Sequence, residues 1–291
     1  MNKPEWIAET LTPGVRVAYQ ADRVLAQTRT EYQRLELLDN GPFGRMLVLD
    51  GAIQTTTRDE FIYHEMLAHA PLLAHGKAED VLIVGGGDCG LAEEVLRHKS
   101  VRSLVQIEID SQVVALAREH LSEINAAAFA DPRFDLRIAD GAQALKEMDR
   151  SFDVVLVDST DPVGAAVPLF TREFYANVRQ RLRPGGVVVV QAGVPFLQGR
   201  EFKSAMGELT AVFQIVDAYL IASPSYFGGH LALGWASDQL APDAVSLEDL
   251  RARYDAAGLS TRYYTPEMHK AAFVLPPFIR ELMPAATTPQ A

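Results

Sequence analysis

Five short runs of mostly β-branched residues, most of them followed by a segment of helical spacing, constrain this chain more than any other feature. The runs are VLIV (81–84), LVQIEI (104–109), FDLRIA (134–139), VVLVD (154–158) and VVVVQA (187–192). Between them lie LAEEVLRH, SQVVALAREHL, AQALKEM and REFYANVRQRL, the last stopped by Arg183-Pro184-Gly185-Gly186. A strand that is apolar along its whole length, rather than on alternate residues, must be covered on both faces. Such strands alternating with helices predict a parallel sheet with helices packed on either side.

QIVDAYL (214–220) and HLALGWA (230–236) add a late hairpin and bring the strands to seven. That is the count of a methyltransferase-like doubly wound sheet, so the expected fold class is α/β with this sheet at its centre. Ahead of it, residues 15–57 read as strands: VRVAYQ, VLAQTRTEYQRLELLD, GRMLVLDG and IQTTT, parted by the turn signals Asn40-Gly41-Pro42 and Asp50-Gly51. A small N-terminal all-β domain over 1–58 and a catalytic domain over 59–291 are therefore expected. From Asp59 the pattern turns helical, with Phe61, Ile62, Met66, Leu67 and Ala70 on one stripe until Pro71. The region after about 241 reads as helical with a Pro-rich stretch, and the closing TTPQA as disordered.

Composition narrows the partners. Hydrophobic residues make up 48% of the chain and charged ones 22%, the balance of a soluble globular protein. No apolar stretch reaches the ~18 residues of a membrane span. The opening MNKPEWIAETL lacks the apolar core of a signal peptide. The one cysteine, Cys89, excludes an internal disulfide and fits a reducing compartment, so a cytoplasmic location is expected. A net charge of −11 argues against nucleic acid, whose binding rests on neutralising phosphates. Such a charge either attracts small cations or keeps the chain soluble.

The loop after the first run, Gly85-Gly86-Gly87-Asp88-Cys89-Gly90, has the glycine spacing of a dinucleotide fingerprint between a strand and a helix. Glu108 ends the next strand about 20 residues on, where a carboxylate accepts from both ribose hydroxyls. Asp140-Gly141 ends the third, within reach of an adenine edge. Asp88 decides the rest of the ligand. A pyrophosphate ~4 Å from a carboxylate is repelled by about 4 kcal/mol per charge pair at an effective dielectric near 20. A sulfonium nucleoside with an ammonium tail is attracted by a comparable amount. The carboxylate of S-adenosylmethionine is also disfavoured there, which leaves decarboxylated S-adenosylmethionine as the candidate ligand.

A second acidic cluster, Asp158-Ser159-Thr160-Asp161, ends the fourth strand and would face the sulfonium carbon. An Asx turn with a helix cap is the bland alternative. A primary amine near pKa 10 is protonated at neutral pH and cannot attack until a proton leaves. Asp158 is the candidate acceptor, with its own pKa raised by its site, and Asp161 the candidate grip on a far ammonium.

In these segments the chain resembles the polyamine aminopropyltransferases. The resemblance rests on GRMLVLDGAIQTTTRDEFIYHEMLAHAPLLAHG, VLIVGGGDCG, EID, DPRFDLRIADGAQ, FDVVLVDSTDPVG, LFTREFY and RYYTPEMHKAAFVLP, in order over about 30 to 275. It implies transfer of an aminopropyl group from decarboxylated S-adenosylmethionine, as co-substrate rather than resident cofactor, to putrescine, giving spermidine and methylthioadenosine. It also implies a homodimer or homotetramer. Carried over by position, Glu108, Asp140, Gly141, Gln33 and Gln54 would contact the nucleoside, Gln54 near the sulfur. Ala165 would contact it too, where the family usually has Pro. Asp88 and His64 would meet the aminopropyl and amine groups, and Asp158 would be the proton acceptor. Ser159 and Asp161 would hold the diamine, and Tyr63, Gln191 and Tyr226 would line its channel. Segment 159–172 would close over the site. Another acceptor amine, or methyl transfer on the same fold, stays open at this point.

Departures from the family pattern fall at Cys89, Glu93, Ala165 and His230. Cys89 is expected to narrow the glycine loop and Glu93 to be solvated. Two other constellations fail on geometry. His64 and His69 lie five positions apart, ~140° around a helix, and cannot share a metal as an i, i+4 pair does. Cys89 has no partnered base for a nucleophile's role. His75, His98 and His120 read as surface residues.

Overall fold

The computed structural model describes residues 5–284, so the expectation for TTPQA lies outside the described residues. Two antiparallel sheets come first: β1 (Glu5–Thr12) with β2 (Val15–Ala21), then β3 (Arg23–Arg29), β4 (Arg34–Asn40), β5 (Gly44–Leu49) and β6 (Ala52–Thr56). There follow α1 (Glu60–His75), β7 (Asp80–Gly85), α2 (Gly90–Leu96), β8 (Ser103–Glu108), α3 (Ser111–His120), α4 (Ser122–Ala130), β9 (Phe134–Ile138), α5 (Gly141–Glu147) and β10 (Phe152–Asp158). A 3₁₀ segment, Gly164–Phe170, precedes α6 (Arg172–Arg181), β11 (Leu182–Gln191), α7 (Gly199–Thr210), β12 (Ile215–Ile221), β13 (Leu231–Ser237), α8 (Leu247–Ala257), α9 (Pro266–Ala272) and α10 (Pro277–Arg280). None of these helices is long and apolar enough to cross a membrane.

The large sheet has seven strands in the order β12-β13-β11-β10-β7-β8-β9, parallel except for β13. Its continuous apolar runs are covered on both faces, as their composition requires. Val81, Ile83, Val154, Leu156, Val187 and Val189 pack toward α1 and α2. Leu82, Val84, Val155, Val157, Val188 and Val190 pack toward α6 and α7. The chain runs outward from β7 through β8 to β9, then returns to β10 on the other side of β7. That reversal opens a crevice at the carboxyl ends of β7 and β10, where such sheets bind ligands.

Five features differ from what the sequence leads one to expect. β1 lies in a stretch without clean alternation. VLAQTRTEYQRLELLD is two strands, because the Thr30 hydroxyl accepts the N–H groups of Tyr32 (3.1 Å) and Gln33 (3.2 Å) and closes a turn between them. α1 runs through Pro71, carried by the burial of Leu72, Leu73 and Ala74 and closed by Gly76 in the left-handed region. α4 and α7, both amphipathic only weakly or interrupted by glycine, are additional helices.

Candidate active site

A cavity of about 660 Å³ occupies the crevice, walled by the carboxyl ends of β7, β8 and β10, by β1, by the β5–β6 turn and by the 3₁₀ segment. Gln33, Gln54, Tyr63, Asp88, Glu108, Asp140, Gly141, Asp158, Ser159, Asp161, Ala165, Gln191 and Tyr226 all line it. His64 does not.

The glycine loop sits against the end of β10. Gly85 and Gly86 have φ of 87° and 70°, and the Gly86 N–H donates to the Asp158 carbonyl at 2.8 Å. A Cβ on Gly85 would stand 2.2 Å from that same carbonyl oxygen. Backbone cannot yield there, so Gly85→Ala is expected to cost about 3 kcal/mol or more of stability, read by denaturant unfolding. From beneath, Gln106 on β8 donates to the carbonyls of Gly85 (2.9 Å) and Gly86 (2.5 Å). Cys89 also has a positive φ, 60°, yet its side chain is fully buried on the core side, away from the cavity wall. Burial pushes its thiol up, the reverse of an activated nucleophile.

Asp88 is held by the N–H of Gly90, 2.8 Å from Oδ1. Behind it lies His64, with Nε2 3.7 Å from Asp88 Oδ1 and Nδ1 2.7 Å from Glu60 Oε2. His64, expected at the reacting amine, thus stands behind Asp88 rather than on the cavity surface. Successive helical residues point ~100° apart, and Tyr63 takes the wall. Burial alone would lower the His64 pKa, but the charges of Asp88, Glu60 and Asp158 outweigh it and push it up to about 10. His64 is therefore an imidazolium that backs the acidic wall. Its helix neighbour His69 turns the other way, 2.9 Å from His98. His98 is buried, not on the surface as its place at a helix end implied. Glu93 is half-buried rather than solvated, and accepts the Ala127 N–H at 3.0 Å.

Glu108 organises one end of the cavity. Its Oε1 accepts the Asp110 N–H at 2.8 Å, and Asp110 in turn accepts from Thr30 (2.8 Å) and Gln33 (3.1 Å), tying the N-terminal sheet to β8. Burial pushes Glu108 up to about 7. Asp140 accepts the N–H groups of Ala142 and Gln143 and so caps α5. At the other end, Tyr63 donates to Asp158 Oδ1 at 2.9 Å. Burial and the charge of Asp88 raise Asp158 to about 6, against the opposing effects of His64 and Tyr63. Tyr63 and Tyr226 meet edge to face at 5.8 Å, and Tyr226 donates to the Gln54 carbonyl at 2.5 Å. The loop carrying Tyr226 is anchored by buried Asp59, which accepts from Thr56 (2.6 Å), the Ser225 N–H (2.7 Å) and the hydroxyls of Ser223 and Ser225.

Glu9 and Gln198 are among the cavity residues that the sequence does not single out. Glu9 comes from β1, and burial pushes it up to about 7 with Asp161 adding to the rise. Gln198 precedes α7 and donates to Asp161 at 2.6 Å. Recognising the strand in EWIAETLT would have brought Glu9 into view; nothing local marks Gln198. Chemically, the cavity gathers carboxylates whose crowding protons or bound cations relieve and anions worsen.

Residues 60–246 match the spermine/spermidine synthase domain, and residues 5–57 match the spermidine synthase tetramerisation domain. The polyamine aminopropyltransferase of Ruegeria sp. (strain TM1040) is 47% identical over 284 residues, covering 98% of this chain and 100% of the relative. That of Escherichia fergusonii is 44% identical over 281 residues, 97% of each. Among solved structures, a spermidine synthase in complex with the transition-state analogue AdoDATO superposes with a TM-score of 0.91 at 34% identity, over 97% of this chain and 96% of that one. The spermidine synthase of Thermotoga maritima gives 0.88 at 33%, over 97% and 95%.

Proposed function

The chain belongs to the spermine/spermidine synthase family, and from that premise we propose that it makes spermidine by moving the aminopropyl group of decarboxylated S-adenosylmethionine onto putrescine. The enzyme is an aminopropyltransferase; putrescine as its acceptor is the step beyond. The observation that carries the reading is that Asp88, Asp158 and Asp161 together line one cavity.

In this reading Glu108 accepts from the ribose hydroxyls, Asp140 and Gly141 border the adenine, and Gln33, Gln54 and Ala165 complete the nucleoside pocket. Asp88, backed by His64, receives the ammonium of the aminopropyl tail. Asp161, Glu9 and Gln191 receive the far ammonium of putrescine, with Ser159, Tyr63 and Tyr226 along its methylenes. Held so, the near nitrogen lies in line with the carbon it attacks. Asp158 takes the proton from that nitrogen. The nitrogen lone pair forms the C–N bond, the C–S bond breaks, and its electrons return to sulfur, which leaves as the neutral thioether methylthioadenosine. A base near pKa 6 is better matched to an amine than an ordinary carboxylate near 4.

The division near residue 58 between a β-domain and a catalytic domain belongs to the same reading. So does self-association as a homodimer or homotetramer, supported by the tetramerisation match and by Trp6 and Val24, 56% and 36% exposed on that portion. The test of function is methylthioadenosine release from purified protein given decarboxylated S-adenosylmethionine and a panel of amines. Fastest release with putrescine supports the reading. Faster release with cadaverine, agmatine or spermidine reassigns the acceptor, and no release with any amine ends it.

A further inference from the structure

The far-ammonium seat contains one residue whose orientation is forced. Gln198 is buried, and its Oε1 accepts the N–H of Val194 at 2.7 Å. A side-chain amide has one oxygen and one NH₂ group, so this bond leaves only Nε2 to face the cavity. Nε2 donates to Asp161 Oδ2 at 2.6 Å, while Gln191 Nε2 donates to Asp161 Oδ1 at 3.1 Å. Each carboxylate oxygen thus carries one neutral donor and keeps acceptor capacity free. Among the described residues no Lys, Arg or His lies within ion-pair distance of Asp161, so its charge is not spent inside the protein. Beside it, Gln191 Oε1 is buried without a hydrogen-bond partner, an acceptor awaiting a donor. Space for Gln198 exists because residue 193 is glycine: a Cβ there, at φ +77°, would stand 2.7 Å from Gln198 Oε1.

We propose that Gln198 is a positioning residue that fixes the Asp161 carboxylate for the far ammonium of the acceptor, and so selects diamines over monoamines of equal length. The inference rests on Asp161 being the acceptor's grip, and the experiment separates the two. Steady-state KM values are measured for putrescine, 1-aminobutane and decarboxylated S-adenosylmethionine in the full chain and in Gln198→Met, Asp161→Asn and the double variant. Hydrogen bonds to charged groups are worth about 1.5–3 kcal/mol, a factor of about 10 to 100. Gln198→Met is expected to raise the putrescine KM at least about tenfold and to lower the preference for putrescine over 1-aminobutane by the same factor, with the nucleoside KM nearly constant. In the Asp161→Asn background it is expected to add nothing. An Asp161→Asn enzyme that keeps its diamine preference overturns the grip itself. Preference lost in Asp161→Asn but kept in Gln198→Met overturns the role of Gln198 alone, as does an equal loss for both amines. Should Gln198→Met fail to fold, Gly193→Ala, which displaces the same amide from the other side, decides in the same way.

Discussion

Asp158→Asn lowers kcat by about 10²–10⁴-fold, the range expected when a positioned general base is removed, while affinity for the nucleoside changes little. The asparagine keeps the shape and the contact with Tyr63, whose hydroxyl lies 2.9 Å from Asp158 Oδ1. It cannot take a proton from an ammonium. Stopped-assay turnover and equilibrium nucleoside binding measure the two halves of the prediction, and equal losses in both would mean a binding role instead. In the unaltered enzyme the same carboxylate sets an acid limb: the rate falls as pH drops through about 6 and the base becomes protonated. Stability moves in the opposite sense. An acid whose pKa is raised on folding binds more protons folded than unfolded between its ordinary value and about 6, so its contribution falls as pH rises through that window. Asp158→Asn is therefore expected to stabilise the free protein, and to do so more at pH 8 than at pH 4.5, as read from Tm. His64 behaves differently, with a folded pKa near 10: its contribution is complete below its ordinary value of 6.5 and is lost only as pH rises through about 10.

Glu108→Ala weakens nucleoside binding by about 10²–10⁴-fold, from two ribose hydrogen bonds to a charged acceptor at about 1.5–3 kcal/mol each. The loss falls on the nucleoside KM rather than on turnover at saturation, because Glu108 in this reading holds the ribose and touches no reacting atom. Burial holds its pKa up to about 7 in the free protein. Ribose hydroxyls donate to the charged form and favour it, so nucleoside affinity strengthens as pH rises through about 7 and binding releases protons. Calorimetry in buffers of different ionisation enthalpy reads that release. Glu108→Ala should abolish the part due to this residue, and an unchanged proton count would place the titration elsewhere.

How far these roles are legible in the sequence depends on where each side chain's position is decided. The glycine loop, Glu108, Asp140 and Asp158 stand at the ends of strands whose apolar runs declare themselves, so strand register alone carries them to one crevice. Asp158, for instance, pairs across the sheet with Gly85. That His64 lies behind Asp88 while Tyr63 lines the cavity is not legible, because periodicity within a helix buried all around does not say which step faces the cavity. Glu9 reaches the cavity on β1, a strand that imperfect alternation hides, whereas Gln198 reaches it only through the turn before α7, which no local pattern encodes. Pro71 shows the converse: a strong local stop signal overridden by the burial of the residues that follow it.

All of these expected outcomes depend on the cavity's carboxylates being arranged for cations and against anions. The most direct measurement of that arrangement is a calorimetric titration of the free protein with two nucleosides that differ only in the tail, S-adenosylmethionine and its decarboxylated form. The decarboxylated form is expected to bind more tightly by up to about 10³-fold, the equivalent of about 4 kcal/mol for one charge pair ~4 Å apart at an effective dielectric near 20, with the gap narrowing in Asp88→Asn. Equal affinities, or tighter binding of the carboxyl-bearing nucleoside, would contradict it.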